Sequence, residues 1–330
     1  MATTSTTLPG GASPSQGSRT FLARLRSGDE IARIVTFIFA AITVLITVML
    51  VFQLWHDSAL PRHKFGFDFF ITRVWDPITE DFGALPFIYG TLVTSVVALF
   101  LAVPFGIGAA IFLAELAPQK ISDTLQFFID LLAAVPSVIY GLLGVFIVIP
   151  LMREWLQPFL KETLGFLPLF QGPAYGVGFL AAGIVLAIMV IPYIISVSRE
   201  VLLSVPRDQR EAALALGSTR WESTWKVVVP FARTGIMGSI FLAMARALGE
   251  TMAVTMVVGN TPTISASLFS PGYSIAAVIA NEFTEATGDM YLQALIELGL
   301  VLFLLTFILN GLARLLMVLT TQKGSGTGHA

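Results

Sequence analysis

Six continuous apolar runs, at about 34–55, 87–114, 125–152, 174–198, 235–259 and 293–319, set the terms on which this chain can fold. A helix rises about 1.5 Å per residue, so roughly 20 apolar residues cross the hydrocarbon core of a bilayer. Lipid offers no hydrogen bonds to the backbone, so runs of this kind must satisfy their N–H and C=O groups internally, as helices do. The expected fold is therefore an all-α integral membrane protein with six transmembrane helices. Composition supports this reading: 55% of the 330 residues are hydrophobic and 12% are charged, about half the charged share usual in soluble domains. Two runs carry interruptions, the third through Asp130 and Pro136 and the fifth through Arg246 and Glu250.

Orientation follows from the lysines and arginines, which favour cytoplasmic loops. With the N-terminus inside, the inner segments hold thirteen of them: Arg19, Arg24, Arg26, Arg33, Lys120, Arg199, Arg207, Arg210, Arg220, Lys226, Arg233, Arg314 and Lys323. The outer segments hold five: Arg62, Lys64, Arg73, Arg153 and Lys161. Both termini are thus expected in the cytoplasm, with short acidic loops outside. Residues 1–26 read as a disordered polar tail without a cleavable signal, followed by a short segment around Phe21, Leu22 and Leu25. That segment suits either an interfacial helix or a simple orientation signal. Ser27 and Glu30 have capping-box spacing for the first span. The permease domain is expected over 27–320 and a flexible tail over 321–330.

Several function classes are excluded at this level. There is no cysteine, and His56, His63 and His329 share no ligand spacing, so no metal site is expected. A net charge of −2 gives no basis for nucleic-acid binding. No nucleophile–base constellation suggests a membrane enzyme. No lysine follows a glycine, so the GxxxxGK[ST] phosphate loop is missing and the chain carries no motor of that kind.

One inner connection, 199–233, is longer and more polar than the rest. Within "SVPRDQREAALALGSTRWESTWKVVVP", Pro206 suits a helix start and Gly217 a left-handed helix end. Thr219 and Glu222 again have capping-box spacing. Two short helices joined by a tight turn are expected. Such a hairpin is either a solvated connection or a docking surface; Glu211, Ala212, Ala213 and Gly217 favour docking, because small side chains let another surface approach. This stretch resembles the cytoplasmic EAA loop of ATP-binding-cassette importer permeases, matched here by Glu211, Ala212, Ala213, Gly217, Val227, Val229 and Pro230. Valine stands where that family usually has isoleucine and leucine. The resemblance implies a type I importer permease bundle whose loop docks in a groove of a separate ATPase subunit, with Glu211 and Gly217 as the leading positions.

The charged residues of "FLAMARALGETMAVTMVVGN" pose the sharpest question, since a charge at the bilayer centre costs roughly 2.5–3.5 kcal/mol on insertion scales. At i and i+4 of one helix, Arg246 and Glu250 would be neighbours on a single face. Two readings stand open: a salt bridge that locks helices together, or a site on the path of a polar solute. Arginine presents a permanently charged fork that fits tetrahedral oxyanions. Glutamate beside it would repel a bare dianion but accept a hydrogen bond from hydrogen phosphate, which sulfate cannot offer.

Taken with "LPFIYGTLVTSVVALFLAVPFGIGAAIFLAEL", "VPSVIYGLLGVFIVIPLM" and "SIAAVIANEF", this motif is similar to the PstC-type permease family of bacterial phosphate-specific importers. That resemblance implies inorganic phosphate as cargo, a place in the bacterial cytoplasmic (inner) membrane, and Arg246 and Glu250 on the path. It implies as partners a homologous PstA-type permease, two ATPase subunits holding ATP and Mg, and an extracytoplasmic phosphate-binding protein. The alternatives are another oxyanion such as molybdate or sulfate, and an ion-coupled secondary transporter with Glu250 as a proton relay. Of the remaining features, Pro136 is expected to kink the third span and serve a gate. Asp130 is expected at a cap or interfacial contact, Glu297 at the interface, and Gly106 and Gly108 at close helix contacts.

Overall fold

The computed structural model describes residues 29–325. Helix α1 (Asp29–Asp57) is followed by the short α2 (Ala59–Phe65), a 3-10 turn (Gly66–Phe70), and a small hairpin. In that hairpin β1 (Trp75–Asp76) pairs antiparallel with β2 (Asp81–Phe82), Trp75 opposite Phe82. Helices α3 (Leu85–Leu116), α4 (Gln119–Ala133), α5 (Ser137–Leu164) and α6 (Phe179–Leu203) come next. They are followed by α7 (Arg207–Ala215), α8 (Arg220–Leu248), α9 (Met252–Thr255), α10 (Ile275–Glu282) and α11 (Asp289–Ser325). Six described helices, α1, α3, α5, α6, α8 and α11, are long and apolar enough to cross a membrane.

The chain divides after Gln53. On the first side, the threonine hydroxyls of α1 are satisfied by its own backbone: Thr36, Thr43 and Thr47 each donate to the carbonyl four residues earlier, so lipid meets no free hydroxyl there. On the second side, α6 is the central helix. Burial covers 67% of its most apolar window, against 28–33% for α3, α5, α8 and α11. Its closest partner is α3, and glycines permit the approach. A side chain at Gly183 would collide with Val97, and one at Gly106 with Ile194, as in small-residue packing of membrane helices. Gly108 has no atom within 4 Å over its position, so the close contact expected there is absent.

Near the hairpin, Phe69, Phe82, Phe87, Tyr273 and Leu298 form an aromatic-rich core. The carboxylate of Glu282 accepts hydrogen bonds from Trp75 at 2.8 Å and Tyr291 at 2.7 Å. At the other end, Ile111 and Leu113 of α3 pack with Leu202 of α6 and with Val228, Ala232 and Ile236 of α8.

Several expectations are corrected. The stretch 125–152 is not one helix: α4 ends at Ala133 and α5 begins at Ser137, with Pro136 at φ −56, ψ 140 between them. Proline lacks an N–H and pushes the residue before it out of the helical region. Pro136 therefore opens a new helix instead of kinking an existing one, and the third span moves to Ser137–Leu164. At 15 residues, α4 is about 22 Å long and too short to span.

The stretch 235–259 is displaced as well. Thr219 caps α8 through the expected capping box with Glu222, but the helix runs on into the fifth span and ends at Leu248. The second short helix of the inner connection is thus the first turns of α8. Pro230 does not stop it because a π turn, Thr224–Val228, immediately precedes Val229–Pro230. The same arrangement recurs in α5, at Gly144–Val148 before Ile149–Pro150 and at Met152–Leu156 before Gln157–Pro158. A widened turn accommodates the missing N–H and the ring that would clash with the carbonyl four residues back. Glu297 is 3% exposed in α11, packed inside the protein. That helix continues to Ser325, into the expected tail; residues 326–330, the N-terminal tail with its interfacial segment, and Ser27 lie outside the described residues.

Candidate functional site

The charged stretch folds as two helices, not one. Arg246 occupies the last turn of α8, and Gly249 (φ −92, ψ 0) ends it. Glycine is a poor helix interior residue, and Glu250 then serves the next helix. Its Oε1 accepts a hydrogen bond from the Ala253 N–H at 3.3 Å, at the start of α9. Each charge lies at the helix end its sign favours, the cation at a C-terminus and the carboxylate at an N-terminus. The expectation of a shared helix face is therefore wrong, and no ion pair joins Arg246 to Glu250 among the described residues.

Arg246 is exposed. Its Cζ lies 5.9 Å from the centroid of the Tyr193 ring on α6, within the range of a cation–π contact. On α5, the Tyr140 hydroxyl donates to the Leu132 carbonyl of α4 at 2.7 Å. One turn along α6 from Tyr193, Ser196 donates to Asp130 Oδ1 at 2.7 Å, and Gln126 donates to the same oxygen at 2.7 Å. Asp130 thus ties α4 to α6. Segment α9 lies on α5: Gly141 faces Ala253 and Met256, and Gly144 faces Val257. The break at Gly249 and the helix start at Pro136 are consequently connected through α5. What this leaves is an exposed guanidinium beside the Tyr193 ring, without a paired carboxylate among the described residues, which can receive a tetrahedral oxyanion with two of its N–H groups.

The hairpin at α7 brings its expected residues together. Glu211 and Ala212 are exposed, and Ala213 is buried beneath them. Gly217 adopts φ +87, a conformation other residues enter only with strain. Its N–H reaches the Leu214 carbonyl at 2.9 Å while Ser218 reaches that of Ala213, closing the helix end. Leu216 is 90% exposed, with Leu214 and Trp221 also open. An apolar side chain so fully presented beside small residues fits a surface made for contact.

The family model for the binding-protein-dependent transport system inner membrane component matches residues 102–317. The chain belongs to this family. It is similar to the phosphate transport system permease protein PstC of Mesorhizobium japonicum, 45% identical over 293 residues that make up 86% of this chain and 90% of that one. To PstC of Pasteurella multocida it is 48% identical over 291 residues, 87% and 89% of the two chains. Among solved structures it is similar to a bacterial ABC transporter involved in import of the acidic polysaccharide alginate, with TM-score 0.56, 17% identity and coverage of 90% and 98%. It is also similar to inward-facing MetNI methionine ABC transporter, with TM-score 0.53, 17% identity and coverage of 74% and 98%. Those two likenesses establish an ABC importer permease fold. As a member of this family the chain is a multi-pass inner-membrane protein.

Tyr193 is the neighbour of Arg246 that the sequence pattern does not single out. A signal is present for it, since Tyr193 is a polar-tipped residue placed directly after Pro192 in an apolar run.

Proposed function

We propose that this chain is a permease subunit of an ATP-driven importer that carries inorganic phosphate across the cytoplasmic membrane. The observation that carries this reading is 45–48% identity to phosphate transport permeases over most of both chains. Both termini face the cytoplasm in this account, which sets the α7 hairpin on the inner surface and the β1–β2 hairpin outside. The chain is a transporter subunit; ATP and Mg are bound in a separate ATPase. Two such ATPases serve the complex, and this chain's share docks on Glu211, Ala212, Ala213 and Gly217. A PstA-type permease completes the membrane part, and a phosphate-binding protein delivers the anion from outside.

Closure of the ATPases displaces α7 and rocks the spans, opening the path outward. Phosphate then passes Arg246, whose fork has no ion pair among the described residues. Glu250 uses one oxygen on the Ala253 N–H, leaving the other to accept the proton of hydrogen phosphate. Sulfate has no such proton at neutral pH, so Glu250 favours phosphate over it. Pro136 marks where α4 and α5 change angle as the gate moves.

The test is uptake by vesicles containing the whole complex. Radiolabelled phosphate should enter only with ATP, and unlabelled phosphate should compete far better than sulfate or molybdate. Equal competition by sulfate would sink the selectivity reading. Uptake driven by a proton gradient without ATP would replace the importer with a secondary carrier.

A further inference from the structure

Arg210 stands immediately before Glu211 in α7, and its own contacts are made with α3 and the end of α6. Its Nε lies 3.2 Å from both carboxylate oxygens of Glu115, and Nη2 lies 2.7 Å from Oε1. Nη2 also donates to the Leu202 carbonyl at 2.8 Å, and Nη1 donates to that of Val205. Glu115 belongs to the π turn Phe112–Leu116 that closes α3, with a side chain 9% exposed against 21% for Arg210. Leu202 lies in the last turn of α6 and Val205 just beyond it, where the helix dipole is negative and a cation is favoured. One side chain of α7 is therefore fastened to the ends of α3 and α6 together.

We propose that Arg210 is a positioning residue for energy coupling: its fork makes α7 move as one body with α3 and α6, so displacement of α7 reaches the central pair of spans. The proposal rests on the reading that an ATPase docks at Glu211–Gly217. Two features of the junction make the fork necessary. Only Ser204, Val205 and Pro206 connect α6 to α7, so a three-residue link, anchored by the buried Val205, is the sole covalent route from one helix to the other. Packing holds α7 itself only lightly, because Ala213 alone of its nine residues is buried, and a cleft of about 370 Å³ opens beside the strut between Ala114, Glu115, Leu203, Arg207, Arg210 and Glu211. A lysine cannot replace this arginine. Its single ammonium lacks the planar fork that meets a carboxylate on two sides while also reaching two carbonyls.

The experiment uses the whole complex in liposomes with wild type, Arg210→Lys, Glu115→Gln and the exchange Arg210→Glu with Glu115→Arg. Three quantities are read together: ATPase subunit co-purified, ATP hydrolysed and phosphate taken up. The expected result for Arg210→Lys and Glu115→Gln is undiminished co-purification and hydrolysis, with phosphate moved per ATP falling about tenfold, inside the roughly 5–150-fold range of ordinary coupling. The exchange should regain part of that ratio, since the ion pair is remade but the carbonyl contacts are not. An unchanged ratio in both single variants would overturn the strut. So would uptake that falls only in step with ATPase lost from the complex, which makes Arg210 an assembly residue. A wild-type complex that captures no ATPase would instead remove the functional reading on which the strut depends.

Discussion

Arg210 and Arg246 both lie near helix ends, yet Arg210 meets a carboxylate and two carbonyls, whereas Arg246 has the Tyr193 ring beside it and, among the described residues, no ion pair. The first spends its donors inside the protein and can only hold parts together. The second keeps its donors unassigned in an exposed position, at the break between α8 and α9. Guanidinium chemistry is identical at both sites; the difference lies in which acceptors the fold supplies. An arginine already saturated is a mechanical element. One left with a ring and open space is available to an anion.

Substitutions that exchange these conditions test the contrast. The largest expected effect on stability is Arg210→Ala, which strands Glu115 without its counter-charge. Breaking a buried pair costs about 3–5 kcal/mol, and partial exposure places this one toward the lower figure. A thermal melt of the detergent-solubilised complex should register it, while Arg246→Ala in the same melt should stay within about 0.5 kcal/mol, as for a surface change.

Gly217→Ala comes next. Nothing stands within 4 Å of the added methyl, so the expected loss of about 1–2 kcal/mol is purely the left-handed backbone. It should show as weaker capture of the ATPase by the purified membrane subunits, with the rest of the complex assembled. A fall in global stability without weaker capture would mean the turn serves folding alone.

The smallest expected effect is at Tyr193. Tyr193→Phe keeps the ring and should leave uptake near wild type. Tyr193→Leu removes a cation–π contact of about 0.5–1 kcal/mol, or roughly two- to fivefold in uptake. Equal behaviour of Leu and Phe would show that the ring does not hold Arg246.

The six helices could be read from hydropathy because lipid leaves the backbone no other option. The turn chemistry of the hairpin could be read too, since Thr219–Glu222 and Gly217 act through local geometry. Two boundaries were misread for one reason: an apolar run continues through a helix end when the next segment is also apolar. Pro136 and Gly249 were the available signals, and hydropathy overrode both. The π turns before Pro150, Pro158 and Pro230 show the converse, prolines that look like breaks and are absorbed. The partner of Arg210 lies 95 residues away in sequence, and the ring beside Arg246 belongs to another span. No local pattern encodes either, because both depend on how α3, α6 and α8 pack.

The most direct measurement compares ATP-driven phosphate uptake by the wild-type and Arg246→Gln complexes, with ATPase hydrolysis and subunit content matched. Loss of charged hydrogen bonds of about 1.5–3 kcal/mol predicts uptake reduced roughly ten- to a hundredfold, with assembly intact. Uptake equal to wild type would contradict the account and move the anion's route away from the break between α8 and α9.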